Sequence, residues 1–117
     1  MGAEKSFENK IKRFLESRGC WFVKYFANRM TKSGVPDILA CVNGRFVAIE
    51  VKASNGHPSE LQIWNRDKIR EAGGIAIIIY PEQWDDFVDL INELIVDPND
   101  VDRECVFETF DERRKAT

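Results

Sequence analysis

The stretch Gly34-Val35-Pro36-Asp37-Ile38-Leu39-Ala40-Cys41-Val42-Asn43-Gly44-Arg45-Phe46-Val47-Ala48-Ile49-Glu50-Val51-Lys52 decides the fold. Two apolar-rich runs, 37–42 and 45–51, are separated only by Asn43-Gly44. Both central positions of a type I′ turn need positive φ, which Asn and Gly supply, so the pair predicts a β-hairpin. A two-residue loop sets the register by counting. Val42 faces Arg45, Leu39 faces Ala48 and Asp37 faces Glu50. Opposed residues project to the same face with Cβ atoms about 4.5–5.5 Å apart. Lys52, two positions beyond Glu50, shares that face. Ile38, Val42, Val47, Ile49 and Val51 fall on the other face and form a core surface.

Like charges opposed across a sheet are destabilising unless something neutralises them. A divalent cation is the natural candidate. Carboxylate ligands with no accompanying Cys or His favour Mg2+ or Mn2+ over zinc. The charge pattern alone is equally compatible with a solvated strand face that happens to hold Asp, Glu and Lys.

Outward from the hairpin, Ser6 can cap a first helix carrying Phe7, Ile11, Phe14 and Leu15, with Gly19 to stop it. Residues 20–26 read as a strand, and 27–36 as a basic connection holding Arg29 and Lys32. After a loop over 52–58, Ser59 opens a second helix with Leu61, Trp64, Ile69 and Ala72, closed by Gly73-Gly74. Residues 75–80 form a continuous apolar run, the pattern of a strand buried on both faces. Trp84, Phe87, Val88, Ile91, Leu94 and Ile95 share one face of a further helix. Trp21, Trp64 and Trp84 all fall at core-like positions and read as packing. The strand–helix–strand unit over 45–80 predicts parallel strands. Residues 101–117 fit either strand or helix, with a weak alternation of Cys105, Phe107 and Thr109. The fold class is α/β or α+β with a mixed sheet. The expected organisation is one domain over 1–117, with a compact core at about 4–95 and a tail at 97–117.

The 117 residues are 44% hydrophobic and 32% charged, ordinary values for a folded chain. No apolar run approaches the roughly 18 residues of a membrane span, and the start shows no signal-peptide core. Met1-Gly2 with Ser6 formally matches a myristoylation signal but lacks a polybasic partner stretch. Three widely spaced cysteines, Cys20, Cys41 and Cys105, argue against a disulfide framework or zinc ribbon and for a reducing, cytoplasmic setting. The net charge of −3 hides an asymmetry. Residues 1–60 carry ten Lys or Arg against six Asp or Glu, whereas residues 61–117 carry seven against fourteen.

Gly34-Val35-Pro36-Asp37 followed by Glu50-Val51-Lys52 resembles the signature of the PD-(D/E)xK nuclease superfamily. Ser33 to Ile38, Ala48 to Lys52 and Ser59 to Trp64, taken in this order, resemble more narrowly the virus-type replication-repair nuclease domain, VRR-NUC. The resemblance covers about residues 4–95 and implies a restriction-endonuclease-like αβββαβ core with an additional C-terminal helix. It implies a metal-dependent DNA endonuclease in which Asp37, Glu50 and the Val51 carbonyl hold Mg2+ or Mn2+. Glu8, on the first helix, would complete or support the metal site; its other reading is an ordinary exposed first-turn glutamate. Lys52 would orient water and stabilise developing charge. Gln62 matches a family glutamine near the metal, although Ser59-Glu60-Leu61-Gln62 is also a capping box. Lys24, Arg29, Lys32, Ser33 and His57 are candidate DNA contacts, with solvated side chains the competing reading. Stand-alone members are similar in pattern to archaeal Holliday-junction resolvases, which implies a homodimer acting on branched DNA. A monomeric non-specific or flap-processing nuclease and a catalytically silent binding module are the alternatives.

Overall fold

The computed structural model describes residues 2–27 and 30–112. Its elements follow the order α1 (Ala3–Ser17), β1 (Trp21–Lys24), β2 (Ile38–Val42), β3 (Arg45–Val51), α2 (Glu60–Glu71), β4 (Ile75–Ile79), α3 (Trp84–Val96) and α4 (Arg103–Asp111). Short 3-10 turns at Pro81–Gln83 and Pro98–Asp100 flank α3. The four strands form one mixed sheet in the order β1-β2-β3-β4, antiparallel except for the parallel pair β3–β4.

The hairpin has the register counted from the sequence: Val42 opposes Arg45, Leu39 opposes Ala48 and Ile38 opposes Ile49. Asn43 and Gly44 take φ of 47° and 84°, as a type I′ turn requires. Asn43 also donates from Nδ2 to the carbonyls of Leu94 and Ile95 at 3.0 and 3.1 Å, fastening the turn to the end of α3.

One sheet face carries Ile38, Ala40, Val42, Val47, Ile49, Val51, Ile75, Ile77 and Ile79, all buried. They pack with Phe7, Ile11 and Leu15 of α1 and Phe87, Ile91 and Leu94 of α3. Trp84 is partly buried among Phe7, Phe14 and Phe87, with ring centroids 5.5–6.4 Å apart. By alternation, Glu50 points to the opposite face, where α2 lies against β3 and β4.

Four expectations need correction. Ser6 does not cap α1: the helix begins at Ala3 with Gly2 as N-cap, and the Ser6 N–H donates to the Gly2 carbonyl within the first turn. Ala3, Glu4 and Lys5 are good helix formers, so the helix runs back past the serine. The first strand is shorter than 20–26, ending at Lys24. Trp21 and Trp64 are not core residues, being 64% and 49% exposed. Trp21 lies on an edge strand that α2 leaves uncovered, and Trp64 lies on the outer side of α2.

Finally, the alternation at 105–109 gives no strand. Asp102 caps α4 through the N–H groups of Glu104 and Cys105, and the buried pair Phe107 and Phe110 follows helical spacing. The apolar cluster thus takes in Val101, Phe107 and Phe110 from beyond residue 95. Among the described residues no helix is long and apolar enough to cross a membrane.

Replacing Asn43 by Ala removes two hydrogen bonds and places a Cβ-bearing residue without a polar side chain in left-handed backbone. The expected loss is about 1–3 kcal/mol of stability, read from the midpoint of urea unfolding.

Candidate metal centre at the end of the hairpin

β2 begins one residue after Asp37 because Asp37 continues the pairing with its side chain. Its Oδ2 accepts the Val51 N–H at 2.8 Å, and its carbonyl accepts the Tyr25 N–H at 2.8 Å. Asp37 is therefore held at the end of the sheet, where the two faces meet. Its other oxygen, Oδ1, accepts from Lys24 Nζ at 3.3 Å.

Glu50 is only 4% exposed. Its Oε2 takes Lys52 Nζ at 3.2 Å and Gln62 Nε2 at 3.1 Å. Its Oε1 is buried with no hydrogen-bond partner. Burial, reinforced by the charge of Asp37 and opposed by Lys52, pushes the Glu50 carboxyl up to about 8.

Glu8 is the opposite case. It is buried on α1, and burial alone would raise its pKa. Hydrogen bonds from Lys24, Lys5 and Lys12 outweigh that effect and bring it down to about 2. Lys24 Nζ lies 2.6 Å from Oε1, while Lys5 and Lys12 lie 2.9 and 3.2 Å from Oε2. Lys24 thus bridges Glu8 and Asp37.

The structure brings together Asp37, Glu50, Lys52, Gln62, Glu8 and Lys24, with Val51 contributing its N–H. Both readings of Gln62 hold at once. Its backbone and Oε1 complete the capping box with Ser59, while Nε2 reaches Glu50. Glu8 is not an exposed first-turn residue, and Lys24 is tied to carboxylates instead of standing free in solvent. His57 is exposed in its loop. Lys32 lies with Nζ 5.7 Å from the Trp64 ring centroid, and the Ser33 carbonyl accepts from Asn65 Nδ2 at 3.2 Å. Neither joins the carboxylates. Arg29 lies outside the described residues. The sequence reading missed Lys5 and Lys12, although their i−3 and i+4 spacing from Glu8 is a readable helical signal.

Among the described residues no group of three or more Asp, Glu, His or Cys is arranged to hold a metal. The fit to a cation rests on two carboxylates: Asp37, and Glu50 with an unpartnered buried Oε1. Such a hard oxygen set suits Mg2+ or Mn2+.

Residues 2–75 match the family model described as archaeal Holliday junction resolvase (Hjc). No curated protein matches the chain. Among solved structures, the chain is similar to Hjc of Archaeoglobus fulgidus, a Holliday junction resolvase from an archaeal hyperthermophile. The TM-score is 0.52 at 21% identity, covering 65% of this chain and 66% of that one. The match thus spans just under two thirds of that relative and supports the restriction-endonuclease-like fold. The narrower VRR-NUC resemblance is a finer reading of the same superfamily.

The raised Glu50 carboxyl gives a pH test. Unfolded, the group ionises near its ordinary value of 4.5; folded, it keeps its proton to about 8. The folded state binds the extra proton across that window, so its stability falls as pH rises from 4.5 to about 8. Glu50→Gln should flatten this slope and, without added metal, stabilise the protein at alkaline pH by an amount on the order of a few kcal/mol. Thermal melts across the window check it. A wild-type Tm that does not fall would show that Glu50 is ionised throughout.

Proposed function

The chain belongs to the archaeal Holliday junction resolvase family, and on that premise we propose that it is a divalent-metal-dependent endonuclease that cuts branched, four-way-junction DNA as a homodimer. The observation that carries this reading is the buried, unpartnered Glu50 Oε1 beside Asp37, an arrangement that a cation would complete.

Asp37 and Glu50 are the proposed carboxylate ligands, with the Val51 carbonyl as a further oxygen donor. When bound there, Mg2+ or Mn2+ supplies Lewis-acid polarisation of the scissile phosphate and lowers the pKa of attacking water. Gln62 and Lys52 both hold Oε2 of Glu50, which leaves Oε1 free for the cation. Lys52, 11% exposed at its side chain, orients the water and stabilises charge developing on the phosphate where little solvent screens it. Its ammonium also suits a role that includes proton transfer better than a guanidinium would. Glu8 supports the centre through Lys24.

Lys32, Ser33, His57 and Arg29 are the proposed phosphate contacts, since phosphate binding positions a duplex without reading its sequence. A two-fold symmetric dimer would match the approximate two-fold symmetry of a four-way junction and double the basic surface of residues 1–60. The motifs Ser33 to Ile38 and Ser59 to Trp64 support the finer VRR-NUC reading within this superfamily. The three free cysteines and the DNA substrate place the protein in the cytoplasm under this proposal.

Cleavage assays with Mn2+ on linear, flap, splayed and four-way-junction DNA test the proposal. Paired symmetrical nicks on opposing arms are expected, together with a light-scattering mass near twice 13.5 kDa. A monomer that prefers flaps would reject the resolvase activity while leaving metal-dependent cleavage standing. Asp37→Asn should abolish cleavage. Lys52→Ala should lower turnover by roughly 100-fold or more, with junction binding in Ca2+ changed far less, because Lys52 acts on charge that appears during reaction.

A further inference from the structure

Lys24 lies at the end of the edge strand β1, immediately before the backbone bond from Tyr25 to Asp37. That bond places its ammonium between α1 and the end of the hairpin. The side chain is 19% exposed, so neither carboxylate it touches is paired chiefly with water. Its two contacts are unequal: 2.6 Å to Glu8 Oε1 and 3.3 Å to Asp37 Oδ1.

Lys5 and Lys12 occupy Oε2 of Glu8, which leaves Oε1 to Lys24. Three ammoniums around one carboxylate exceed what that carboxylate needs, and Asp37 receives the surplus positive charge. Nothing equivalent reaches Oε1 of Glu50. The centre therefore has a built-in cation on the Asp37 side and an unmatched oxygen on the Glu50 side. A divalent ion shared by Asp37 and Glu50 would face the Lys24 ammonium across one carboxylate, and like charges at that range repel strongly in a partly buried setting.

We propose that Lys24 is the resident counter-cation of this centre: it pairs with Asp37 until a divalent ion binds, then releases Asp37 while remaining tethered to Glu8. The proposal rests on the nuclease reading above and gives Lys24 a positioning role within it. Before metal binds, Lys24 holds Oδ1 of Asp37 while the Val51 N–H holds Oδ2, so the ligand is oriented in advance. As the ion arrives, the weaker of the two Lys24 contacts opens. Metal affinity is thereby set by competition with an internal ammonium. Glu8 acts as the tether that keeps that ammonium at the rim of the site.

Calorimetric titration of the full chain with Mn2+, in the absence of DNA, tests this with Lys24→Met and Lys24→Arg. Removing the charge while keeping the length should tighten Mn2+ binding several-fold, up to about tenfold. The charge-preserving arginine should remain within about twofold of wild type or bind more weakly. Unchanged or weaker binding by Lys24→Met overturns the proposal, because Lys24 would then hold Asp37 for the metal and not against it. An equal gain in Lys24→Arg also overturns it, since shape and not charge would be responsible. A wild-type protein that takes up no Mn2+ rejects the nuclease reading itself, and this proposal with it.

If Lys24→Met fails to fold, NMR of the wild type decides. Saturation with Mg2+ should shift the Lys24 ε-methylene resonances and leave those of Lys5 and Lys12 in place. A Lys24 signal indifferent to Mg2+ overturns the proposal.

Discussion

The hydrogen bond from the Val51 N–H to Oδ2 of Asp37 is the contact on which the site depends. Without it, Asp37 would be the last residue of a connection and free to turn into solvent. With it, the carboxylate substitutes for a backbone carbonyl and extends the β2–β3 pairing by one step. The Tyr25 N–H on the Asp37 carbonyl closes the same residue from the β1 side. A residue held from two strands cannot retreat from Glu50, so the proximity of two carboxylates follows from backbone pairing and not from any attraction between them. Burial then makes the proximity consequential. It keeps Glu50 protonated well above the ordinary carboxylate range and leaves one oxygen without a donor.

The second fixed point is the start of α2. Gln62 serves the helix and the site with different atoms, so the geometry of the capping box sets where Nε2 meets Glu50. The connection ahead of Asp37 is locked to the same helix. Gly34 takes φ of 76°, and a Cβ there would lie 2.6 Å from Leu61 Cγ. Asn65, buried on α2, donates to the Ser33 carbonyl. The Ser33-Gly34-Val35-Pro36-Asp37 run and the Ser59 to Trp64 run are therefore one packed unit. This explains in physical terms why both belong to a single recognisable pattern.

Much of this was legible in the sequence because it is local. A two-residue loop permits one register, so Asp37, Glu50 and Lys52 could be placed together by counting, and Ser59 with Gln62 announced the helix start. What escaped the sequence was non-local or depended on which surfaces are covered. Lys24 reaches Asp37 only through β1–β2 pairing across a long connection that carries no turn signal, so it read as a free phosphate contact. Trp21 and Trp64 have the spacing of core residues, but periodicity defines a face without saying whether anything covers it. The C-terminal segment misled for another reason: three alternating residues outweighed the helical pair Phe107 and Phe110, and Asp102 was not read as a cap.

The charge asymmetry acquires a spatial meaning in the fold. Glu8, Lys24, Asp37, Glu50 and Lys52 gather at one end of the sheet, and the basic residues of α1 and β1 surround that end. The acidic surplus lies elsewhere. Asp85, Asp86, Asp89 and Glu93 are exposed on α3, away from the side that buries Phe87, Leu90, Ile91 and Leu94. Field from those carboxylates is screened over about 10 Å at 0.1 M salt, so it adds little at the site itself. At longer range, before contact, it repels phosphate from the acidic side of the molecule. A chain with a net charge of −3 can therefore still approach DNA by one end, oriented by its own charge separation. Orientation by repulsion on one side and attraction on the other leaves the few lysines near the carboxylates to do two jobs, neutralising Glu8 and Asp37 and meeting the backbone of the substrate.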